Sequence, residues 1–487
     1  MPGKVGKNAM KAVKNFTGLA SDSREVKPGF LFAALPGIRT DGARYVKDAV
    51  ARGATVVLGR PELAPAARAL GVDFIEDVNP RRALAKLAAQ FYGSQPKTVA
   101  AVTGTNGKSS VTVFLREIWT ALDKPAASIG TVGVVAPWGE APLAHTTPDP
   151  IETHRLLAEL KQRGIDHLAI EASSHGLDQR RLDGVEIAAA AFTNVTRDHL
   201  DYHQTFEAYL DVKLRLFREV VRKAGLAVIN ADAEHAGTFR EVAEHRGLHV
   251  LTVGRMGETL RLTASEPHRE GQKLSLECVG RHFELELPLV GLFQASNALV
   301  AAALAVGLGE RPDAVFAALS HLRGAPGRLE KMAYARSGAP IYVDYAHTPD
   351  AIETVLRAIR PHVTGKLFIV FGCGGDRDAG KRRLMGAAAA KFADRVIVTD
   401  DNPRSEDAAS IRKAVLAGCP DAQEIGDRST AIRETVNKLG EGDVLVIAGK
   451  GHETGQIIGM TCFPFSDRDE AASAALAQGG RAVGRRQ

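Results

Sequence analysis

A glycine-rich turn is the first place in this sequence where residue types and spacing predict chemistry. Residues 98–102 are an apolar segment typical of a strand, and residues from Ser109 to about Leu122 predict a helix. The turn and the helix start contain Gly104, Thr105, Asn106, Gly107, Lys108, Ser109 and Ser110. Backbone N–H groups of such a turn bind phosphate oxygens, Lys108 would reach the β and γ phosphates, and the Ser109 hydroxyl would bind Mg²⁺. Val102 replaces the first glycine of the usual GxxxxGK[ST] pattern, so an ordinary glycine-rich turn is the alternative.

Two further segments place possible metal ligands directly after predicted strands. Glu171 follows the segment His167-Leu-Ala-Ile170, and His199 is the last residue of the segment Asn194-Val-Thr-Arg-Asp-His199. The carboxyl ends of parallel strands are where α/β proteins form ligand sites. Taken singly, each residue is more often a polar residue at a strand end. As a set after a phosphate loop, they predict a Mg²⁺ site.

Lys213 lies in a predicted helix, 206–217, that has an apolar face. The ordinary interpretation is a lysine whose chain packs on that face while its ammonium reaches solvent. The alternative is a lysine desolvated near a metal, where its pKa would fall and the neutral amine could react with carbon dioxide.

A turn in the last third, Asp401-Asn402-Pro403-Arg404, follows the apolar segment 396–399. By itself such a turn is usually solvated. The nearby Gly372-Cys373-Gly374-Gly375 suggests a dinucleotide loop, but Arg377 replaces the last glycine of GxGxxG. That signal is weak.

The length of 487 residues exceeds what one hydrophobic core supports, so we expect three domains. Alternating strand and helix patterns predict an α/β fold: a small mixed α/β domain over 1–92, a central P-loop-type ATPase domain with a parallel sheet over 93–328, and a Rossmann-like α/β domain over 329–487. Within the central domain, βα units are expected to run up to an alanine-rich helix after Asn297.

The net charge of +5 comes from the two ends of the chain. Four lysines within residues 1–14 and three arginines within 481–487 have no acidic neighbours, and the remaining residues carry 55 basic and 57 acidic side chains. The charge therefore does not predict nucleic-acid binding. No apolar run long enough for a membrane span and no secretory signal is visible, and the four cysteines are scattered, so a cytoplasmic protein is expected.

Together these motifs resemble the ATP-dependent Mur ligases of peptidoglycan synthesis. The resemblance rests on the phosphate loop, Glu171-Ala-Ser-Ser-His-Gly-Leu, Asn194-Val-Thr-Arg-Asp-His-Leu-Asp-Tyr-His203, Asn297, Arg328 and Asp344-Tyr-Ala-His347, and it extends from about Ser21 to about Asp467. Within the family, the similarity is greatest to members that add the third amino acid to the muramyl peptide. The resemblance implies three domains, which bind the UDP-sugar, ATP and the incoming amino acid.

The resemblance also implies a mechanism. ATP would phosphorylate the terminal carboxylate of UDP-N-acetylmuramoyl-L-alanyl-D-glutamate, and the amine of the amino acid would attack the acyl phosphate. Two Mg²⁺ ions would screen the approaching anions, with Ser109, Glu171, His199 and a carbamylated Lys213 as their protein ligands. The protein would contribute positioning and charge neutralisation. We expect a monomer.

Binding residues follow from the resemblance position by position. Uridine diphosphate would contact Ser21, Ser23, Ile38, Arg39 and Thr40. The muramyl peptide would contact His145, Thr146, Thr147, Ser173, Gln179 and Arg181, with His145 replacing the family's asparagine. ATP would contact the phosphate loop and Asn297, Arg328, Asp344 and His347.

The turn at 401–404 predicts the amino acid. Relatives that add meso-diaminopimelate carry Asp-Asn-Pro-Arg, and lysine-adding relatives lack the arginine. An arginine fork can bind the distal carboxylate that lysine lacks. The rest of that pocket would be Arg377, Gly449 and Glu453. The alternatives are another ligase of the superfamily, such as a folylpolyglutamate synthetase, and a nucleotide-binding scaffold without catalysis.

Overall fold

The structure is a computed structural model, and it describes residues 16–37 and 40–483. Ile38 and Arg39, two of the residues expected to bind uridine diphosphate, lie outside the described residues.

The N-terminal part is a sheet of four parallel strands in the order β1-β2-β3-β4, packed with three helices. The strands are β1 (Gly18–Ala20), β2 (Phe30–Ala33), β3 (Val56–Gly59) and β4 (Asp73–Glu76), and the helices are α1 (Val46–Ala51), α2 (Ala64–Ala69) and α3 (Pro80–Tyr92). Helix α3 begins where the Asn79 side chain accepts a hydrogen bond from the Arg82 N–H, and it ends at Gly93 in the left-handed conformation.

The central part contains a mostly parallel sheet in the order β11-β10-β5-β9-β6-β7-β8, with only β7 and β8 antiparallel. Its strands are β5 (Thr98–Thr103), β6 (Ala126–Gly130), β7 (Gly133–Ala136), β8 (Gly139–Ala141), β9 (His167–Glu171), β10 (Ile187–Phe192) and β11 (Val221–Asn230). Its helices are α4 (Lys108–Ala121), α5 (Pro150–Gln162), α6 (Ser174–Asp178), α7 (Leu200–His203), α8 (Phe206–Arg215) and α9 (Ala236–His245). Strand β5 is buried on both faces, as its apolar run predicted.

An antiparallel segment follows, where the sequence was expected to continue with βα units. Strand β12 (His249–Gly254) pairs with β13 (Leu260–His268) in parallel, and β13, β14 (Gly271–Cys278) and β15 (Arg281–Leu287) form an antiparallel meander. The expectation was wrong for residues 260–287. The missed signal was alternation: Leu274, Leu276 and Cys278 are buried while Lys273, Ser275 and Glu277 are less so, a period of two that indicates a sheet with one covered face.

Two helices complete this region, α10 (Leu292–Gly307) and α11 (Pro312–Leu319). The predicted alanine-rich helix is therefore present, but it begins before Asn297.

The C-terminal part is a seven-stranded sheet in the order β20-β19-β18-β21-β17-β16-β24, parallel from β20 to β17. Its strands are β16 (Glu330–Tyr334), β17 (Pro340–Asp344), β18 (Leu367–Phe371), β19 (Arg395–Val398), β20 (Gln423–Glu424), β21 (Val444–Ala448) and β24 (Arg481–Ala482), and a separate hairpin consists of β22 (Gly455–Ile458) and β23 (Thr461–Pro464). The helices are α12 (Pro349–Ile359), α13 (Lys381–Phe392), α14 (Ala408–Leu416), α15 (Arg428–Asn437) and α16 (Asp467–Leu476).

Helices cover both faces of this sheet. In β18, Leu367, Ile369 and Phe371 pack into one core with Ile352 and Met385, while Phe368 and Val370 pack into the other with Ile432 and Ala471. Both faces of a continuous apolar strand are thus buried, which is the Rossmann-like arrangement that the sequence predicted.

The chain packs into two compact units. One contains the described residues up to Thr252 with Ala303–Gly309, and the other contains Val253–Ala302 and the described residues from Glu310 onward. The domain boundaries at 92/93 and 328/329 stay predictions. Among the described residues, no helix has the length and apolar character needed to cross a membrane.

Candidate active site

The phosphate loop lies at the carboxyl end of β5 and leads into α4. Gly107 caps the helix with a φ of 87°, and Gly104 has a φ of 156°. A Cβ at Gly104 would overlap the Thr193 hydroxyl, which donates a hydrogen bond to the Asn106 carbonyl (2.6 Å). Glycine is required at 104 because the loop packs directly against the residues that follow β10.

The side chains of two lysines meet at one carbonyl of this loop. Lys108 Nζ donates to the carbonyl oxygens of Gly104 (2.8 Å) and Thr105 (2.7 Å), and Lys213 Nζ donates to the same Gly104 oxygen (2.8 Å). Lys108 therefore places a positive charge where phosphate oxygens would approach.

Lys213 is almost fully buried, with 1% of its surface exposed. Its Nζ also lies 4.4 Å from the centre of the Tyr209 ring. Burial lowers the pKa of Lys213 well below its usual value, and the neighbouring charge of Lys108 lowers it further. The ordinary interpretation, a lysine whose ammonium reaches solvent, is therefore wrong for Lys213.

Glu171 ends β9 and is 1% exposed. Its Oε1 accepts a hydrogen bond from the Thr131 N–H (2.8 Å), and its Oε2 accepts one from the Thr131 hydroxyl (3.2 Å). A side chain at Gly130 would overlap this carboxylate. Thr131 follows β6, which is the parallel neighbour of β9, so the carboxyl ends of adjacent strands hold the carboxylate in place.

A connected set of hydroxyl and guanidinium groups continues from Thr131. The Thr131 and Thr146 hydroxyl oxygens lie 3.1 Å apart, and the Thr147 hydroxyl donates to the Glu171 carbonyl (2.7 Å). The Arg181 guanidinium donates to the Thr147 carbonyl (2.5 Å) and to Gln179 Oε1 (2.9 Å).

Ser173 belongs to the same set, because its backbone N–H donates to the Thr147 hydroxyl (3.1 Å) and its Oγ accepts from the Gly176 N–H (3.0 Å). Five predicted peptide-binding residues are therefore assembled beside Glu171: Thr146, Thr147, Ser173, Gln179 and Arg181. His145 is exposed beside them.

His199 is also exposed, with a φ of 53°, and it takes part in a group of aromatic rings. Its ring centre lies 5.0 Å from that of His175 and 6.3 Å from that of Tyr209. Tyr209 connects this group to the phosphate loop, since its hydroxyl lies 2.9 Å from the Thr105 hydroxyl.

Three of the four candidate metal ligands suit Mg²⁺ in chemical type, because they supply oxygen atoms, whereas His199 supplies a nitrogen. Glu171 supplies carboxylate oxygens, Ser109 supplies a hydroxyl that is 5% exposed, and a carbamate on Lys213 would supply a second carboxylate. No cluster of three or more His, Cys, Asp or Glu side chains within the described residues could hold a metal ion alone. Mg²⁺ usually takes one or two protein carboxylates and completes its shell with water and substrate phosphates, so this sparse set fits the ion.

In the second compact unit, Asp344 ends β17 and is 6% exposed. Its carboxylate accepts hydrogen bonds from the N–H groups of Leu329 (2.6 Å) and Ala346 (2.7 Å). Burial raises the pKa of Asp344 to about 6, although the Arg328 charge and the two N–H groups oppose that shift.

Arg328 and His347 both pack on Tyr345, with the guanidinium carbon 4.6 Å and the imidazole centre 4.7 Å from its ring centre. Asn297 is buried on α10, and Gln294, one turn earlier, donates to the Arg328 carbonyl (2.8 Å). Of the four predicted nucleotide residues of this unit, Asn297 therefore lies on α10, Asp344 ends β17, and Arg328 and His347 flank that strand in sequence.

The turn at 401–404 follows β19 and is held from two sides. The Arg404 guanidinium donates to the Gly375 carbonyl (2.7 Å), which belongs to the loop after β18. The Arg404 N–H donates to the Ile457 carbonyl (3.0 Å), and its carbonyl accepts from the Gly459 N–H (2.7 Å), both in the β22–β23 hairpin. Arg404 is half-buried with a φ of 53°, so it is not the freely solvated arginine of an ordinary turn.

Three polar side chains, those of Asn402, Lys450 and Glu453, are hydrogen-bonded to one another at this turn. Lys450 Nζ donates to Asn402 Oδ1 (2.8 Å), Asn402 Nδ2 donates to Glu453 Oε2 (3.1 Å), and Lys450 Nζ lies 3.4 Å from the same Glu453 oxygen. A Cβ at Gly449 would meet the Asp401 carboxylate at 2.6 Å, so the loop after β21 packs closely on the turn. Arg377 is exposed on the loop after β18.

Comparison with known proteins decides the family. Three domain descriptions match in order along the chain: "Mur ligase family, catalytic domain" over residues 15–92, "Mur ligase middle domain" over 102–305, and "Mur ligase, glutamate ligase domain" over 327–451. A protein of Bradyrhizobium diazoefficiens named UDP-N-acetylmuramoyl-L-alanyl-D-glutamate--2,6-diaminopimelate ligase is 54% identical over 470 residues, 96% of each chain. This chain belongs to the Mur ligase family.

Further relatives agree with this assignment. A Caulobacter vibrioides protein of the same name is 52% identical over 94% of this chain and 95% of its own. A solved structure with that name has a TM-score of 0.72 and 35% identity, and it covers 95% of both chains. The MurF ligase of Thermotoga maritima in complex with ADP has a TM-score of 0.61 at 17% identity over 96% of this chain and 98% of its own, a likeness of fold alone.

These findings confirm the predicted α/β, three-domain Mur ligase fold and the predicted class of enzyme, an ATP-dependent ligase that forms amide bonds. The roles of the individual residues stay predictions. Sequence reasoning missed Thr131 and Lys450, both of which hold predicted site residues. Thr131 carried no motif, whereas Lys450 stood between the predicted Gly449 and Glu453, directly after an apolar strand.

Proposed function

We propose that this Mur ligase joins meso-2,6-diaminopimelate to UDP-N-acetylmuramoyl-L-alanyl-D-glutamate at the cost of ATP, in the synthesis of the peptidoglycan precursor. It would work as a cytoplasmic monomer without nucleic acid. The observation that carries the choice of amino acid is the position of Arg404, held between the Gly375 carbonyl and the β22–β23 hairpin. The names of the relatives support the same substrates.

The first step is transfer of the γ-phosphoryl group of ATP to the terminal carboxylate of the D-glutamate, because a free carboxylate is a poor electrophile. The loop from Gly104 to Ser110 would bind the phosphates through backbone N–H groups, and Lys108 would leave the loop carbonyls to neutralise the transferred group. Asn297, Arg328, Asp344 and His347 would contact the nucleotide.

Mg²⁺ would be held by Ser109, Glu171, His199 and the carbamate of Lys213, and it would neutralise charge on the phosphates and the acyl phosphate. The low pKa of Lys213 supports the carbamate, since only a neutral amine attacks carbon dioxide. Thr131 would keep Glu171 oriented through its two hydrogen bonds.

The UDP-muramyl dipeptide would extend from the N-terminal sheet to the hydroxyl groups beside Glu171. Ser21, Ser23 and Thr40, with Ile38 and Arg39, would bind the uridine diphosphate end. The peptide end would contact His145, Thr146, Thr147, Ser173, Gln179 and Arg181, which places the glutamate carboxylate near the phosphate loop.

In the second step, the amine of diaminopimelate attacks the acyl phosphate, forming a tetrahedral intermediate that releases phosphate. The pocket for this amino acid would be Arg377, Asp401, Asn402, Pro403, Arg404, Gly449 and Glu453. A guanidinium left without its carboxylate disfavours lysine, by roughly 10⁴-fold in favourable cases.

Phosphate release with a panel of amino acids tests this proposal. We expect release only when ATP, the UDP-muramyl dipeptide and meso-diaminopimelate are all present, with L-lysine a poor substitute. Arg404→Ala should raise KM for diaminopimelate and lower kcat/KM, because a charge-assisted bidentate contact is lost. The fall in kcat/KM should correspond to a loss of at least about 2 kcal/mol of transition-state stabilisation.

Arg383→Ala is the matched control, since Arg383 is an exposed arginine on α13 of the same compact unit. It should behave as the wild type, and KM for ATP should stay unchanged in both variants. Preference of the wild type for lysine, or normal use of diaminopimelate by Arg404→Ala, would contradict the proposed specificity.

A further inference from the structure

Lys450 is a fully buried lysine in a pocket where the proposed substrate brings its own charges. Its exposed fraction is 0%, and its Nζ contacts only two side chains within the described residues, Asn402 and Glu453. We propose that Lys450 is a positioning residue for the amino acid: it fixes the Glu453 carboxylate as the acceptor for the substrate ammonium and, through Asn402, fixes the turn that carries Arg404. This inference rests on the proposed function.

The two carboxylate oxygens of Glu453 have different hydrogen-bond partners. Oε2 receives the Asn402 amide at 3.1 Å and the Lys450 ammonium at 3.4 Å. Oε1 has no hydrogen-bond partner among the described residues, and 35% of the side chain is exposed. One oxygen is therefore committed to the protein, and the other is available to an ammonium group from solvent or substrate.

Most of the hydrogen-bonding capacity of the Asn402 side chain is used by contacts within the protein. Its Oδ1 accepts from Lys450 Nζ (2.8 Å) and from the Ile457 N–H (3.0 Å), which uses both lone pairs, and one N–H of Nδ2 goes to Glu453. The side chain of Asn402 therefore orients the pocket more than it binds the substrate. Because Asn402 precedes Arg404 by two residues and both contact Ile457, the hydrogen bond from Lys450 also limits how Arg404 can move.

The charges of the proposed substrate and of Glu453 and Arg404 explain why position 450 is a lysine. The distal end of diaminopimelate carries an ammonium and a carboxylate on one carbon, and it needs an anion and a cation at a fixed separation. Glu453 and Arg404 supply that pair. Lys450 approaches Glu453 from the buried side and holds Oε2 with a charged donor, so Oε1 stays directed away from the protein. A neutral residue at 450 would leave Glu453 Oε2 with the Asn402 amide as its remaining donor, which holds the carboxylate less firmly than the pair of donors does.

The test compares Lys450→Met with the wild type in the complete phosphate-release assay. We expect KM for meso-diaminopimelate to rise by about tenfold or more, the scale of a lost hydrogen bond to a charged group, with kcat changed far less. KM values for ATP and the UDP-muramyl dipeptide should stay within about twofold of the wild type. Lys438→Met is the control, an exposed lysine at the end of α15 that should leave every constant unchanged.

A double-mutant cycle with Glu453→Gln separates positioning from a general loss of stability. Glu453→Gln alone should raise KM for diaminopimelate, and Lys450→Met should add little in the Glu453→Gln background, because both changes disable the same acceptor. A purely structural lysine would instead give independent, multiplying effects and would disturb all three substrates.

The outcomes distinguish this inference from the proposed function. If the wild type does not use diaminopimelate, the proposed function fails. If the wild type uses it but Lys450→Met has a normal KM, or if the two substitutions multiply fully, the positioning role is wrong. Should Lys450→Met fold poorly, Lys450→Gln keeps a donor for Asn402 without the charge, and a normal KM in that variant would equally overturn the inference.

Discussion

Lys213 illustrates how burial changes the chemistry of a single side chain. Its sequence context, a helix with an apolar face, is typical of a lysine that reaches solvent, yet its Nζ is buried against the Gly104 carbonyl. Desolvation and the charge of Lys108 lower its pKa. Carbamate formation requires a neutral amine, and the lowered pKa of Lys213 favours that form.

We predict that Lys213→Ala nearly abolishes phosphate release and that a small carboxylate such as formate or acetate partly restores it. The added carboxylate would replace the missing metal ligand. Lys213→Arg should stay inactive with or without the additive, because a guanidinium forms no carbamate. The measurement is the rate of phosphate release across additive concentrations, and an active Lys213→Arg enzyme would rule out the carbamate.

Among individual residues, the sequence predicted those that belong to recognisable motifs. It missed the residues that position the motif residues through hydrogen bonds. Lys108 and Arg404 were visible because a phosphate loop and an Asp-Asn-Pro-Arg turn have recognisable spacing. Thr131 was invisible because it lies 40 residues from Glu171, and only the pairing of β6 with β9 brings the two together. A hydrogen bond between distant residues leaves no local pattern.

The elements that position the site were predicted well where their faces are fully buried. Strands β5, β9, β18 and β21 contain buried apolar runs, and the predictions for β5 and β9 lie within one residue of their bounds. The short strands β20 and β24 and the β22–β23 hairpin had no such signal, because their side chains are mostly exposed and tertiary contacts define them. The hairpin nevertheless holds Arg404, so an element without a sequence signal supports the predicted specificity.

A buried ion pair joins the first residues of two helices near the proposed amino-acid pocket. Arg428 begins α15, Asp467 begins α16, and both side chains are 0% exposed, with Arg428 Nε and Nη2 each 2.7 Å from a carboxylate oxygen of Asp467. The same guanidinium donates to the Ala448 carbonyl (2.8 Å) at the end of β21. The pair therefore connects both helices to the strand that leads into Gly449 and Lys450.

We predict that Arg428→Met destabilises the protein by about 3–5 kcal/mol, because Asp467 would be left as a buried charge without a partner. Replacing both residues by apolar ones of similar size should recover most of that loss. Arg433→Met, an exposed change on the same helix, should cost under about 0.5 kcal/mol. Urea unfolding followed by circular dichroism measures the differences, and equal stabilities of Arg428→Met and the control would contradict the role of the pair.

For the whole molecule, the alternation of strand and helix patterns predicted the class of fold, and the domain boundaries at 92/93 and 328/329 stay predictions. The strands of the three main sheets lie within residues 18–76, 98–287 and 330–482. The first compact unit, however, ends its main segment at Thr252, and the second begins at Val253. One reason lies in contacts that cross residue 328. His362 accepts from the Gly291 N–H (3.0 Å) and its Nδ1 lies 2.7 Å from the His268 carbonyl. Such contacts between distant segments have no signature in local sequence.

Asp344 should make stability of the second unit depend on pH. Its pKa is raised from 3.8 to about 6 in the folded chain, chiefly by burial. Between about pH 4 and pH 6 the folded state therefore holds a proton that the unfolded state has released, so this group's contribution to stability is full below pH 4 and is lost as the pH rises through 6. The shift of about two pKa units corresponds to about 3 kcal/mol.

We predict that Asp344→Asn removes this part of the pH dependence. The difference in unfolding free energy between the variant and the wild type should move in favour of the variant by about 3 kcal/mol from pH 4 to pH 7, because asparagine does not titrate. Hydrogen exchange of the β17 amides at each pH reports opening of this sheet, and comparison at equal pH cancels the intrinsic exchange rate. A constant difference across that range would show that Asp344 is already ionised at pH 4 in the folded protein, and that the N–H groups of Leu329 and Ala346 with Arg328 outweigh its burial.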